Sequence, residues 1–488
     1  MALRAGTSTA AKFVLRGKST RASSQLPSAF PAGVDPKASI KPHQLEGYHL
    51  KANPGDAPAA LRAAVDHRRA MYDVPASIPA DGYPYEKAYM KNCENVIGFM
   101  PIPVGICGPM LIDQKQYKVP FATTEGALIS SINRGAKALG LSGGVETFIV
   151  SFLRASRRAC ILADFLLHSP GCAGSVRAHK KLMSRHARCV CGRPVSQERV
   201  GITRAPILEC SDLATLRAVV EWLGANEDTM RTIFEGTTQN GKLIGYHPYV
   251  VGTRIHLRIN VNSKDAMGMN MITIGSDTLT KHICSLFPGR VACSTLSGNM
   301  CTDKKASSIN WILGRGFRGV AVCTVPADVL RKVLHCEVED FCQLNHEKNF
   351  VGSAMANTTG GNNSHAANVV AALYLATGQD IAQVGTSAMT LFNATKDGRG
   401  DLKLEVLMPS MELATVGGGT SLPAQRGCLE LCGAATSEEL AKVSLAAVMA
   451  GELSLLAAQC AGHLASAHAN LGRAAGGAGA EAPPPKAQ

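Results

Sequence analysis

The sequence predicts an α+β (mixed α/β) fold with more than one domain, and three observations carry that expectation. Hydrophobic residues make up 46% of the 488-residue chain and charged residues 18%, a globular balance in a chain long enough for two or more cores. Segments of strand character alternate with segments of helical period. Glycine is frequent, at 48 residues, and punctuates those segments where turns and close backbone approaches are needed.

The elements follow in chain order. Residues 56–72 read as a helix opened by Asp56. From Glu94, "ENVIGFMPIPVGICGPMLI" mixes Gly and Pro with β-branched residues, as strands and turns do. "EGALISSINRGAKALG" (125–140) predicts a helix starting just past Glu125, and Leu213–Leu223 another. "YVVGTRIHLRINVN" (249–262) is strand-like, and "DAMGMNMITIGSDTLTKHI" (265–283) mixes helix and strand around a turn near Gly268. "NSHAANVVAALYLATG" (363–378) is a helix ending at Gly378. A long Ala/Leu helix starts at Thr436, with Glu439 at capping-box spacing, and is expected to reach about Leu471. "GRGFRG" (314–319) has the GxGxxG spacing, but "VAVCTV" after it is strand-like where a dinucleotide loop needs a helix, so it reads as a turn.

Charge is unevenly placed. Residues 1–47 hold seven Lys/Arg against two Asp/Glu, residues 151–199 hold ten against two, and these +5 and +8 account for the whole net charge of +13. No basic stripe interleaved with aromatics appears, so no nucleic-acid partner is expected. The first thirty residues carry five basic and no acidic side chains. They resemble a mitochondrial or plastid transit peptide, the alternative being a plain disordered N-terminus. The localisation this implies is mitochondrial, with cytosolic or plastid as alternatives. Sixteen scattered cysteines without a secretory signal read as reduced thiols. No apolar run approaches bilayer-spanning length, so no transmembrane segment is expected. Residues 151–199 have no steady period and read as an atypical insertion; Cys172, Cys189 and Cys191 there fit no zinc spacing, and no metal is expected. The tail "GGAGAEAPPPKAQ" has the composition of a disordered segment.

Several residues carry chemistry, each beside a plainer reading. "TDKK" (302–305) is either a solvated loop or a cation cluster facing an anionic substrate or oxyanion. Glu125 at a helix start suits the helix dipole, or a catalytic acid if burial raises its pKa. Ser131, Asn133, Arg134 and Lys137 form a solvated helix face or a phosphate contact. The methionines of "DAMGMNM" suit a core, while the small-residue turn at a helix start suits a pyrophosphate. His365 and Asn368 share a helix face. Asp380 follows the Gly378 cap, and His468 lies near the end of the last helix. One acid, one cation pair, one aspartate and one imidazole together suit reduction of an acyl thioester, whose oxyanion needs a cation and whose oxygen and leaving thiolate need protons.

Eight motifs in order, "ENVIGFMPIPVGICGP", "ATTEGALISS", "DAMGMNM", "CTDKK", "NFVGSAMA", "HAANVVAALYLATGQD", "TVGGGT" and "MAGELSLLAA", resemble the catalytic domain of eukaryotic-type 3-hydroxy-3-methylglutaryl-coenzyme A reductases over roughly residues 40–473. The resemblance implies two-step reduction of 3-hydroxy-3-methylglutaryl-coenzyme A to mevalonate and coenzyme A with NADPH, NADH being the less expected cofactor. It implies Glu125 as the carbonyl acid, Lys304 as the oxyanion cation, Asp380 holding both, and His468 protonating the thiolate. Arg204, Ser297, Asp303, Lys305, Lys348, His365 and Asn368 would hold substrate. Ser131, Asn133, Arg134 and Lys137 would face coenzyme A, with His43 near its adenine. Asp265, Ala266, Met267, Gly268, Met269, Asn270 and Arg473 would line the cofactor.

The implied fold has a helical N-terminal domain (40–93), a large α/β domain (94–150 and 297–473, the latter including a connecting loop) and a small ferredoxin-like domain (200–296) with a non-Rossmann dinucleotide site. Around them lie a leader (1–39), the insertion (151–199), read as a surface loop or a translated intron, and a tail (474–488). A homodimer or homotetramer with active sites between chains is also implied. The chain departs from the family pattern in three places. Ala467, Gly472 and Ala474 replace polar positions of the C-terminal motif, so no phosphorylation switch is expected at 474. "TTQNGK" (237–242), the expected clamp for a 2′-phosphate, lacks Arg. The membrane spans of many eukaryotic members are missing ahead of the resemblance.

Overall fold

The computed structural model describes residues 40–150 and 200–462. The leader, the 151–199 segment with its cysteines, and His468, Arg473, Ala474 and the tail lie outside the described residues. The chain divides into two compact units, one to Pro101 and one from Ile102.

The first unit is helical. Helix α1 spans Leu45–Ala52 and α2 spans Ala57–Met71. Asp56 caps α2, its carboxylate accepting from Ala59 N at 3.0 Å, as the sequence predicts. Leu61 and Val65 of α2 pack on Ala80 and Tyr85. The fully buried Arg68 ties the unit together by donating to the carbonyls of Val96 (2.7 Å) and Pro42 (2.6 Å) and to Glu46 (2.7 Å). His43 lies in the single turn Pro42–Gln44.

The second unit opens with a hairpin, β1 (Val104–Ile112) and β2 (Lys115–Ala122), followed by α3 (Leu128–Leu141) and β3 (Glu146–Val150). After the 151–199 segment come β4 (Ile202–Arg204), β5 (Ile207–Cys210), α4 (Leu213–Ala225), α5 (Glu227–Glu235), β6 (Lys242–Val251), β7 (Arg254–Asn262), α6 (Met269–Leu286) and β8 (Val291–Thr295). β4 and β5 pair with successive parts of β7, so they act as one interrupted strand. The sheet order is then β8, β5, β7, β6, all antiparallel, with helices crossing after the first strand and after β7. That connectivity is the ferredoxin-like arrangement. Its core is Leu208, Ile255, Leu257 and Ile259 of the sheet against Val219, Phe234, Ile272 and Leu279 of the helices.

Two sequence expectations change here. The segment 249–262 is not one strand but the closing half of the β6–β7 hairpin, turned at Gly252. The segment 265–283 contains no strand. A turn at 264–268 leads into the single helix α6, because its apolar positions Ile272, Leu279 and Ile283 recur on one helical face and bury there.

The rest of the unit comprises α7 (Ser308–Leu313), β9 (Phe317–Val325), α8 (Val338–Asn345), β10 (Gly361–Asn362), α9 (Ala366–Thr377), β11 (Thr390–Lys396), β12 (Leu402–Met411), α10 (Pro423–Cys432) and α11 (Ser437–Cys460). Strands β10, β11, β12, β9 and β3 form a five-stranded sheet in that order, parallel only between β10 and β11. "GRGFRG" opens no helix, as expected: 314–316 bend the chain, and Phe317–Gly319 already belong to β9.

Helix α11 is the centre of this core. Leu445, Val448, Met449, Leu453 and Leu456 are fully buried. At its crossing with α3, a Cβ on Gly135 would sit 1.9 Å from the Ala450 carbonyl oxygen, so only glycine permits the two helices to lie this close. The cap is the expected one: Thr436 Oγ1 accepts from Glu439 N at 3.2 Å, and Glu439 reaches back to Ala435 N at 2.7 Å. The helix ends at Cys460 rather than near Leu471, closing in a turn at Ala461 and Gly462. By length and composition α11 is apolar enough to cross a membrane, contrary to the expectation that no run reaches that length; 89% of its apolar window is buried within the protein, as in the core helix of a folded domain.

Candidate active site

The stretch 297–305 is a loop of strained backbone. Asn299 (φ 59°), Thr302 (φ 55°) and Lys304 (φ 60°) all adopt left-handed conformations without being glycine. Such strain persists only where surroundings over-determine it. Beneath the loop, the buried Arg258 donates to the Met300 carbonyl at 2.8 Å and to Thr302 Oγ1 at 3.2 Å. Burial draws this guanidinium's pKa down to about 10. The buried Asn310 of α7 donates to the carbonyls of Thr302 (3.2 Å) and Lys305 (3.0 Å).

So clamped, the loop presents Lys304, whose ammonium lies 2.9 Å from Asp380 Oδ2. Asp380 stands just past α9, whose last residue Thr377 is followed by left-handed Gly378, and its other oxygen accepts from Ala382 N at 3.1 Å. The neighbouring Asp303 accepts from Gln383 at 2.9 Å, pairs with Arg315 at 3.0 Å, and lies 3.7 Å from Arg204. Arg204 also donates to Thr273 Oγ1 at 3.0 Å and Ser297 Oγ at 3.4 Å. Lys305 is exposed, its ammonium on the Asp303 carbonyl at 3.1 Å. Lys348 sits in the π-helical turn His346–Gly352, and the next residue, Asn349, bonds Ser364 at 3.1 Å.

Glu125 lies between β2 and α3, and both its oxygens accept from Asn368 Nδ2, at 3.0 and 2.8 Å. It is exposed within this chain, so the burial that a raised acid pKa calls for is not supplied by this chain alone. Asn368 thus acts by holding the Glu125 carboxylate. Asn368→Ala should lower kcat about tenfold or more with KM little changed, the usual worth of hydrogen bonds to a charged group, measured by steady-state kinetics.

His365 caps α9 beside the fully buried Glu452 of α11. That carboxylate accepts from Ser364 N (2.6 Å), His365 N (2.8 Å) and His365 Nδ1 (3.0 Å). A carboxylate only accepts, so the proton shared with Glu452 is on Nδ1.

The α3 residues divide. Ser131 bonds Ser454 Oγ at 3.0 Å, and Arg134 bonds Ser454 Oγ at 3.0 Å and its carbonyl at 2.7 Å. Asn133 braces β1 at Gly108 N (3.0 Å) and the Ile106 carbonyl (3.1 Å). Lys137 is exposed.

The stretch 265–270 is anchored at three points. Asp265 accepts from Ser437 N and Oγ at 2.8 and 2.9 Å, while its carbonyl accepts from Thr415 N (2.9 Å) and Val416 N (3.2 Å) of "TVGGGT". Ala266 pairs with Val416, and the Ala266 and Met267 carbonyls accept from Ser263 Oγ at 2.6 and 3.3 Å. Gly268 (φ 83°) precedes α6, and a Cβ there would meet Ser263 Cβ at 2.4 Å. This bare backbone at the N-terminus of an 18-residue helix is a cradle suited to a pyrophosphate. Met269 lies against Arg315 at 3.1 Å, and Asn270 is exposed.

Sequence reasoning passes over Arg258, Arg315, Gln383, Glu412 and Glu452. Arg315 is fully buried, bonded to Thr203 Oγ1 (2.9 Å), Gln383 (3.2 Å), Asp303 and the fully buried Glu412. Burial raises the Glu412 carboxyl to about 7 despite that pairing. The available signal is a charge inside an otherwise apolar run: Arg258 in "RIHLRINVN", Glu412 in "MPSMELATV" and Glu452 in "MAGELSLLAA".

An ammonium poised by a carboxylate, a second held carboxylate and an anion-binding helix start, on this fold, define an enzyme of carbonyl chemistry. The chain matches the family model described as hydroxymethylglutaryl-coenzyme A reductase over residues 61–166 and 174–473. It is 36% identical over 449 residues to 3-hydroxy-3-methylglutaryl-coenzyme A reductase 1 of Dictyostelium discoideum, covering 88% of this chain and 72% of that protein. It is 39% identical over 424 residues to reductase 2 of the same organism, covering 84% and 70%. Against the Strongylocentrotus purpuratus reductase it is 36% identical, spanning 89% of this chain and 43% of that longer protein. The chain belongs to the hydroxymethylglutaryl-coenzyme A reductase family. A Streptococcus pneumoniae class II reductase solved with NADPH shares the fold, with a TM-score of 0.55 at 16% identity, over 86% of this chain and 100% of that one.

Proposed function

We propose that this protein reduces 3-hydroxy-3-methylglutaryl-coenzyme A to mevalonate and coenzyme A with NADPH, in the mevalonate pathway that feeds isoprenoid and sterol synthesis. The observation that carries the reading is the Lys304–Asp380 pair at 2.9 Å on a strained, clamped loop. An ammonium fixed in this way stabilises negative charge developing on the thioester oxygen without reorganising. Glu125, held by Asn368, delivers the proton to that oxygen. Asp380 keeps Lys304 placed, and His468 protonates the departing thiolate. Arg204, Ser297, Lys305 and Lys348 bind the substrate's carboxylate end, with Asp303 orienting Arg204. Lys137 is the α3 side chain free to meet the phosphates of coenzyme A.

Two NADPH molecules, bound in turn, would each supply one hydride. Residues 265–270 hold its pyrophosphate on the α6 N-terminus. At the 237–242 loop, Lys242 is paired with Glu235 at 2.7 Å, whereas Lys264 reaches Asn240 at 3.4 Å. Lys264 is therefore the cation for a 2′-phosphate. Lys264→Ala should raise KM for NADPH about tenfold and leave KM for NADH unchanged, the loss expected for one charge-assisted hydrogen bond.

The exposure of Glu125 and Lys304 in one chain supports a site completed by a second chain in a homodimer or homotetramer. Loss of nicotinamide absorbance with purified protein and 3-hydroxy-3-methylglutaryl-coenzyme A tests the proposal, with NADPH and NADH side by side. Turnover with NADPH, by the full chain and by a form lacking residues 151–199, is the expected result. Folded protein that turns over neither cofactor in either form overturns it.

A further inference from the structure

Away from the active site, three thiols gather where α11 ends. A surface cavity of about 260 Å³ is lined by Cys336 and Cys460 together with Arg331, His335, Glu337 and Asp340. Cys336 lies in the turn ahead of α8, and its buried thiol donates to the Glu337 carbonyl at 3.3 Å. Cys460 is the last residue of α11 and half-buried. The two thiols line this one cavity from opposite elements, the end of α11 and the turn ahead of α8. Cys342, on α8, is the third thiol, half-buried against the same core.

We propose that Cys336 and Cys460 form an oxidisable dithiol that closes to a disulfide, stapling the end of α11 to the turn before α8.

The chemistry assigns the roles. Exposure separates the two: Cys336 is buried with its S–H donated to the Glu337 carbonyl, whereas Cys460 is only half-buried at the cavity. Cys460 is thus the nucleophile, and the half-exposed cavity gives a small disulfide access to it. Arg331 adds positive charge at the cavity, although it is paired with Glu337 at 3.1 Å and Asp340 opposes it. Cys460 thiolate attacks a low-molecular-weight disulfide such as oxidised glutathione, forming a mixed disulfide and releasing one thiolate. Cys336, losing its proton to solvent, then attacks the Cys460 sulfur and releases the second thiolate. Two protein thiols are oxidised and one small disulfide is reduced to two thiols. The stapled helix is the one that holds His365 through Glu452 and α3 through Ser454, so the bond restrains the scaffold behind the active site without touching it.

The test uses the full chain incubated with oxidised glutathione, followed by non-reducing peptide mapping and thermal unfolding. The expected result is a Cys336–Cys460 linked peptide pair that separates on reduction, and a higher unfolding temperature for the oxidised protein. Cys336→Ser should stop at a glutathione adduct on Cys460, and the Cys336→Ser/Cys460→Ser pair should show no oxidation-dependent shift. Both variants report on chemistry that leaves basal activity unchanged. A Cys342–Cys460 link, a glutathione adduct on wild-type Cys460 that never closes, or no modification at either residue overturns the proposal.

Discussion

Lys304→Met should lower kcat by about 10²–10³, the loss typical of removing one preorganised group from a developing oxyanion, with KM changed far less. The argument is geometric. Lys304 is held by its left-handed backbone and by Asp380 at 2.9 Å, so its charge is in place before the carbonyl oxygen gains charge. Its neighbour is the control. Lys305 is tethered only to the Asp303 carbonyl at 3.1 Å and is exposed, so Lys305→Met should act mainly through KM. Asp380→Asn should approach the Lys304→Met loss, and the double variant should be little worse than either single one, because the pair acts as a unit. Steady-state kinetics of the four proteins decide it. Additive losses, or a Lys304→Met enzyme keeping a tenth of its turnover, would mean the oxyanion is stabilised elsewhere.

Much of the fold is legible in the amino-acid sequence. The mixed fold class follows from alternating periods; α2 and α11 start where their caps place them, α9 ends at Gly378, and α3 begins just past Glu125 without a side-chain cap. "GRGFRG" is not a dinucleotide loop because strand β9, and not a helix, begins at Phe317 within it. The misreadings have identifiable causes. The stretch 249–262 reads as unbroken strand because the turn inside it, "GT", is short and its flanks are both β-branched. The end of α11 is expected too late because the Ala-rich sequence continues past Gly462, the stop signal at which the helix turns.

The site divides in the same way. Glu125, Lys304, Asp380 and Asn368 can be named because the chemistry calls for their residue types and the resemblance supplies their motifs. The buried supports cannot. Nothing local marks Arg258 as the clamp of a loop more than forty residues downstream, or Glu452 as the partner of a histidine 87 residues upstream. Such pairings exist only once the ferredoxin-like sheet and α11 bring distant segments together.

Arg315 is the support with the largest expected effect on stability. Its guanidinium joins Thr203 of β4, Asp303 of the Lys304 loop, Gln383 beyond Asp380, Met269 at the start of α6, and Glu412 after β12. Both Arg315 and Glu412 are fully buried. Arg315→Met roughly keeps the volume but leaves Glu412 without its cation and Asp303 with only the more distant Arg204, which should destabilise the protein by about 3–5 kcal/mol, the cost of breaking a buried pair from one side. The loss should depend on pH in a defined direction. Burial places the Glu412 carboxyl near 7 in the folded protein, above its unfolded value, so folding takes up a proton and wild-type stability falls as pH rises through that window. Without Arg315 the folded pKa climbs further, so the variant goes on losing stability above pH 7 while the wild type levels off. Below that window Glu412 is neutral in both proteins and the difference shrinks. Urea denaturation at about pH 6 and pH 8.5 reads this directly. A variant destabilised equally at both values would show that Arg315 acts through packing and the Asp303 contact, with no part for its pairing to Glu412.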